Sequence, residues 1–224
     1  MTIQNQNSIE EYFGKNNICA KDYQDITKTK KKAAKDYNKG ITKQFYDLEV
    51  DGLKISLNYN LEKRIFEEIN NRITSDSNVI ELGCGSGILG CYLALKASSV
   101  YGIDTDKYAI KSAQQRSIKN SSNNVTFEQQ DMFNLLNKKY DSLVVHYLFA
   151  ENRNDINESM VLKAMELSDQ LLIAQNFLSN DSQDYIKNML NKILKEKFET
   201  NIILESGDIK GTRERMFLLE AYRK

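Results

Sequence analysis

Three acids, one histidine and a run of glycines stand where a chain of this kind would hold a ligand. They are Glu81, Asp104, Asp131 and His146, with Gly83, Gly85 and Gly87 at every second position between the first two acids. Carboxylates accept hydrogen bonds and attract cations, so three of them at one site would suit a ligand with an ammonium, hydroxyls or amines. Histidine titrates near neutral pH and can take a proton from a hydroxyl or amine as it reacts.

Val79 to Leu82 is a short apolar run suited to a buried strand, and Ile88 to Ala97 holds no helix breaker. The glycines between them allow a sharp turn and close approach of backbone to ligand. A strand, a glycine turn and a helix start make a nucleotide-type cradle. Gly85, Gly87 and Gly90 also match the dinucleotide spacing G-x-G-x-x-G, a weak signal when it stands alone. Glu81, two residues before Gly83, would repel a pyrophosphate and attract an ammonium. S-adenosylmethionine (SAM) fits better, with its sulfonium, α-amino group, ribose diol and adenine amine.

The stretch Val79 to Gly87 resembles the first motif of the class I SAM-dependent methyltransferases: an apolar pair, an acid, then G-x-G-x-G. Tyr101-Gly102-Ile103-Asp104 resembles their second motif and Gln129-Gln130-Asp131-Met132 their third, while Tyr140 to Val145 is similar to their fourth strand. The likeness is specific from Val79 to Phe149 and general from there to Lys224. It implies SAM as cofactor, with Glu81 on the methionine amino group, Gly83, Cys84, Gly85 and Gly87 along the cofactor, and Asp104 with Thr105 at the ribose. Asp131 would meet the adenine amine and Met132 would pack on the ring. His146 and Tyr147 would face the acceptor, with His146 as general base or as a packed strand-end residue, and Glu151 nearby. Methyl transfer needs no thiol nucleophile, so Cys84 is read as a small loop residue.

These positions require a particular frame. Strands at 79–82, 98–103, 125–130, 143–149 and 170–174 alternate with helices at 88–97, 107–119, 158–167 and 183–198, which indicates a parallel, doubly wound sheet. Two last strands, 200–205 and 215–222, are joined too closely for a crossover and must be antiparallel. The expected fold is α/β, with a mostly parallel seven-stranded sheet, an antiparallel last strand and a small N-terminal helical or hairpin cap. The boundary is set at residues 1–58 for the extension and 59–224 for the SAM-binding domain. Within the extension, Ile9, Tyr12, Phe13 and Ile18 mark an amphipathic piece, and Asp51-Gly52 signals a hairpin. Tyr59 to Ile73 has apolar residues at helical spacing.

Composition narrows the function further. The 224 residues carry no formal net charge, which argues against a nucleic-acid partner, and suggests a small-molecule acceptor of an N- or O-methyltransferase. A single histidine leaves little for a metal site, and three cysteines without a C-x-x-C pair read as free thiols of a cytoplasmic protein. Lys21 to Lys43 holds eight lysines and three aspartates. It reads as a solvated helix face or as a lid over the site. The alternatives are a protein or RNA methyltransferase that docks through those lysines, and a non-catalytic module binding SAM or a nicotinamide dinucleotide. The stretch Val145 to Phe149 lacks the Asn-Pro-Pro-Tyr pattern of many amide and base methyltransferases, and Glu158-Ser159-Met160 only echoes the protein arginine enzymes.

Overall fold

The structure is a computed structural model, and it describes residues 9–16, 18–19, 54–55, 59–136, 138–149, 154–177, 180–206 and 215–224. The strands of its main sheet are β3 (Asn78–Leu82), β4 (Ser99–Asp104), β5 (Val125–Gln129), β6 (Ser142–His146), β7 (Gln170–Phe177), β8 (Phe198–Ser206) and β9 (Arg215–Arg223). They lie in the order β5-β4-β3-β6-β7-β9-β8. All neighbouring pairs are parallel except those made by β9, which runs antiparallel to both β7 and β8. The expected seven strands and antiparallel last strand are therefore present.

Strand order reverses at β3: the chain steps outward through β4 and β5, then returns to place β6 on the other side. Ligands in such sheets bind beyond the carboxyl ends of the strands at this reversal. Register brings those ends level, with Leu82 opposite Ile103 and Val145, and Asp104 opposite Gln129.

Helices α1 (Ile9–Lys15), α2 (Tyr59–Arg72) and α3 (Ile88–Leu93) precede β4, α4 (Lys107–Asn120) joins β4 to β5, and α5 (Asn154–Leu167) and α6 (Asn180–Leu194) flank β7. The stripe read from the sequence of α2 is its buried face, since Ile65, Phe66, Ile69 and Ile73 are inaccessible to solvent. Ile9, Tyr12 and Phe13 of α1 join the same apolar cluster as α2 and α3. A two-residue strand, β1 (Ile18–Cys19), pairs in parallel with β2 (Lys54–Ile55). The observed partner of β2 thus comes from the N-terminal segment, while the rest of the anticipated hairpin and the lysine-rich stretch 21–43 lie outside the described residues.

Several boundaries differ from expectation, and two of the differences have plain physical reasons. The fourth strand stops at His146 rather than Phe149, because Tyr147 takes a left-handed backbone (φ +63°) that no strand continues through. The long helix ends at Leu194, because Phe198 is needed in the core as the first residue of β8.

Between β5 and α3, one aromatic ring organises the packing. A Cβ added at Gly87, Gly90 or Gly102 would stand 2.7, 3.1 or 2.5 Å from a Phe127 ring carbon. These three glycines therefore leave the space that the ring fills, which explains Gly90 without any dinucleotide. Replacing Gly102 with Ala should cost about 1–3 kcal/mol through overpacking. The double variant Gly102→Ala/Phe127→Leu should recover part of that loss in urea unfolding, and strict additivity of the two changes would contradict the assignment.

Candidate active site

The turn between β3 and α3 is built from left-handed glycines, with φ of +68° at Gly83, +52° at Gly85 and +71° at Gly87. Side chains are excluded sterically as well, since a Cβ on Gly83 would come within 2.7 Å of Leu148 Cδ1. Three amides of the turn are satisfied internally. Cys84 N–H donates to the Ile103 carbonyl (2.9 Å), Gly87 N–H to the Cys84 carbonyl (2.9 Å) and Gly85 N–H to Asp104 Oδ2 (3.0 Å). A phosphate-binding loop presents such donors to its ligand. These three are spent within the protein, and the groups beside them include the carboxylates of Asp104 and Glu81.

Asp104, at the end of β4, accepts from two amides: Gly85 N–H at Oδ2, and Asp106 N–H at Oδ1 (2.8 Å). Burial pushes its pKa above the usual aspartate value, and the Asp106 and Gly85 amides pull it part of the way back. It does not cap α4. That role falls to Asp106, whose Oδ1 accepts from Tyr108 N–H at 2.7 Å. Thr105 is exposed beside it, and its carbonyl accepts from the Gln129 side chain (3.1 Å), which ties the ends of β4 and β5 together.

Asp131 lies exposed past the end of β5 and caps a short 3-10 turn, Met132–Asn134, by accepting from Phe133 N–H at 3.0 Å. Met132 is buried within the second apolar cluster. Glu81 is only 2% exposed. A Cβ on Gly90 would meet Glu81 Oε2 at 2.6 Å, so the glycine leaves room for the carboxylate beneath α3. The charge of Glu81 helps to raise the pKa of Tyr12, Cys84 and Cys91, after desolvation as the main cause.

His146 ends β6 beside β3, as the sequence requires. It is half-buried, edge-to-face with the Phe66 ring (5.5 Å between centroids) and 3.8 Å from the Tyr147 ring. Tyr147 Oη donates to Met216 Sδ at 3.5 Å, which directs its ring towards β9. The turn that follows is held by Gln175, which accepts from Phe149 N–H (3.0 Å) and donates to the Phe149 carbonyl (3.1 Å). Glu151 lies outside the described residues.

Structure adds residues that sequence reasoning missed. Arg116 is 1% exposed, and its Nε–H donates to the Ser86 carbonyl at 3.0 Å. Its signal was a cation at core spacing on α4, three residues past buried Ala113 and seven past Ala109. Tyr12 donates to the Ile88 carbonyl at 2.5 Å, so α1 also touches the start of α3.

Cys84 and Cys91 are buried free thiols. Burial pushes Cys84 well above its usual value and Cys91 to about 12, while Tyr92 also rises to about 12. Neither thiol is a nucleophile at neutral pH. In native protein at pH 8, both should resist iodoacetamide, and both should be alkylated in urea, as mass spectrometry can read. These groups hold their protons more tightly when folded than when unfolded. Their stabilising contribution is complete below about pH 9 and is lost as pH rises towards 12. The urea midpoint should fall across that window.

The comparisons with known proteins agree with this geometry. A family model described as "Methyltransferase domain" matches residues 73–215. A release factor glutamine methyltransferase of Fusobacterium nucleatum is 40% identical over 77 residues, covering 33% of this chain and 22% of that protein. An uncharacterized RNA methyltransferase of Staphylococcus epidermidis is 32% identical over 74 residues, covering 32% of this chain and 16% of that protein. The chain therefore spans about a fifth of the length of these curated relatives. Magnesium protoporphyrin IX methyltransferase of Synechocystis, solved with bound SAM, shares the fold, with a TM-score of 0.60, 20% identity and coverage of 76% of this chain and 86% of that one. Sheet order, glycine turn and family match together place the chain in the methyltransferase domain family, within the class I, SAM-dependent superfamily that its motifs resemble.

Proposed function

We propose that this chain is a SAM-dependent methyltransferase whose acceptor is a nitrogen or oxygen on a protein or an RNA. The observation that carries the cofactor assignment is the carboxylate of Asp104 held against the glycine turn by Gly85 N–H, with the carboxylate of Glu81 beneath it. That surface suits a ligand with an ammonium, a diol and an amine. Asp104 is assigned to the ribose diol, with Thr105 beside it, and Asp131 to the adenine amine. Glu81 contributes negative potential from below the turn towards the methionine ammonium, directly or through water. Gly83, Cys84, Gly85 and Gly87 line the cofactor with small groups. Met132 acts as a buried support under the adenine end, since its side chain sits in the core.

When bound, SAM supplies an electrophilic methyl group on a sulfonium, with a neutral thioether as leaving group. The chain's part is then to align the acceptor and exclude water, effects that together reach roughly 7–11 kcal/mol in favourable cases. His146 is assigned to the acceptor's proton, and Tyr147 to the wall behind it. The SAM-binding domain is assigned to residues 59–224 and residues 1–58 to an N-terminal extension, and no helix among the described residues is long and apolar enough to cross a membrane.

The names of the relatives support a macromolecular acceptor over the small molecule that neutral composition suggests. One acts on glutamine in release factors and the other is named for RNA. Charge neutrality is a global sum, and it conceals the lysine-rich stretch 21–43, which is assigned to docking. The missing Asn-Pro-Pro-Tyr pattern leaves His146 to Phe149 as the acceptor-side sequence, so the acceptor need not be a planar amide.

Incubation with methyl-labelled SAM and separated protein, RNA and small-molecule pools tests this reading. Label should enter protein or RNA, and should fall steeply with added salt, because exposed charges are screened within about 10 Å at 0.1 M. Label confined to small molecules would overturn the acceptor assignment. Asp104→Ala should weaken binding of S-adenosylhomocysteine (SAH) by roughly 1.5–3 kcal/mol in calorimetry, and unchanged affinity would remove Asp104 from the site.

A further inference from the structure

Arg116 is the largest of the fully buried side chains, and its guanidinium joins two parts of the chain that are far apart in sequence. Nε–H donates to the Ser86 carbonyl, inside the glycine turn, at 3.0 Å. Nη1 donates to Asn16 Oδ1, just past α1, at 2.7 Å. Asn16 is itself inaccessible to solvent. Its amide nitrogen donates to the Tyr12 carbonyl (3.0 Å) and to Asn120 Oδ1 (3.1 Å), and Asn120 Nδ2 returns a bond to Asn16 Oδ1 (3.0 Å) and another to the Arg116 carbonyl (3.0 Å). Tyr12 then closes the circuit from α1 to the Ile88 carbonyl. Two carbonyls of the turn and the helix start are thus held by donors that depend on α1 being docked.

We propose that Arg116 and Asn16 form a latch that couples docking of helix α1 to the shape of the glycine turn, so that cofactor affinity depends on the N-terminal helix. Arg116 is a positioning residue in this scheme, since it acts through Ser86. The ligand concerned is the SAM of the proposed function, and the latch rests on that reading for its functional consequence.

Burial makes the coupling stiff. A guanidinium removed from water cannot trade a lost protein acceptor for solvent without moving, and leaving a buried donor unpaired costs more than the net value of the bond. If Asn16 withdraws, Arg116 must shift towards water and release Ser86. The turn is sensitive to such a shift, because its other described ties include three amide bonds and the close packing at Gly83 and Gly87. Linkage is reciprocal: a ligand that favours the ordered turn must also favour docked α1, by the same factor.

The test combines native-state hydrogen exchange with SAH titration on the full chain. Three variants are needed: Arg116→Met, which keeps volume and removes the guanidinium donors; Asn16→Ala, which removes the acceptor for Arg116 together with the amide that donates to Tyr12 and Asn120; and Asn16→Asp, which gives up that amide but keeps the acceptor. Arg116→Met and Asn16→Ala should each speed exchange at Phe13 to Asn16 and at Gly85 and Gly87 together, while the amides of β6 and β7 stay protected. SAH affinity should fall on the order of tenfold in both, and Asn16→Asp, by restoring the acceptor alone, should recover most of the protection at Gly85 and Gly87 and most of the SAH affinity that Asn16→Ala loses. SAH should slow exchange in α1 of the wild type but not of Asn16→Ala. Faster exchange confined to α1, with Gly85 and Gly87 unchanged, would overturn the latch, and so would unaltered SAH affinity in Asn16→Ala. Should wild-type protein fail to bind SAH, the cofactor assignment falls instead. The paired exchange of α1 and the turn, read without ligand, then still decides whether the latch exists.

Discussion

A carboxylate at the end of one strand holds the turn that follows its neighbour. Asp104 accepts the Gly85 amide, and with the Ile103 carbonyl on Cys84 it secures a backbone with three left-handed residues. The Gly85 amide is thereby spent within the protein, and the acid that takes it stands at the sheet's reversal, beside the glycines and level with the ends of β3 and β5.

Most of the frame was legible in the sequence, because local patterning dictates it. The strands that carry Glu81 and Asp104, the strand just before Asp131 and the buried stripe of α2 are written in apolar runs and spacings that need no tertiary information. What escaped was set by contacts between distant residues. Asn16 and Arg116 are one hundred positions apart, and nothing local marks them as partners. Phe127 reads as an ordinary strand aromatic, and only the fold brings Gly87, Gly90 and Gly102 around it. Backbone energetics hid the end of β6, where an apolar run continues to Phe149 but the chain turns at Tyr147. Tertiary packing also takes the Met132 side chain into the core.

Charge is distributed so that burial and function work together. Glu81 and Arg116 are both removed from water and flank the same group of side chains, since each acts on Tyr12 and Cys91 with opposite sign. Asp104, closer to the surface, accepts from two amides. The two carboxylates nearest the turn thus differ in depth, with Glu81 buried and Asp104 partly exposed.

The left-handed backbone at Tyr147 bears on how such a chain can evolve. A bulky residue in that conformation stores on the order of 1–3 kcal/mol, which glycine would release at once and asparagine in part. Drift towards greater stability would therefore favour losing the tyrosine. Keeping it preserves a ring that packs on His146 and bonds Met216, beside the place where the acceptor is assigned. On the role proposed for Tyr147, position 147 sets durability against chemistry, so that selection for heat resistance and selection for turnover would choose different amino acids.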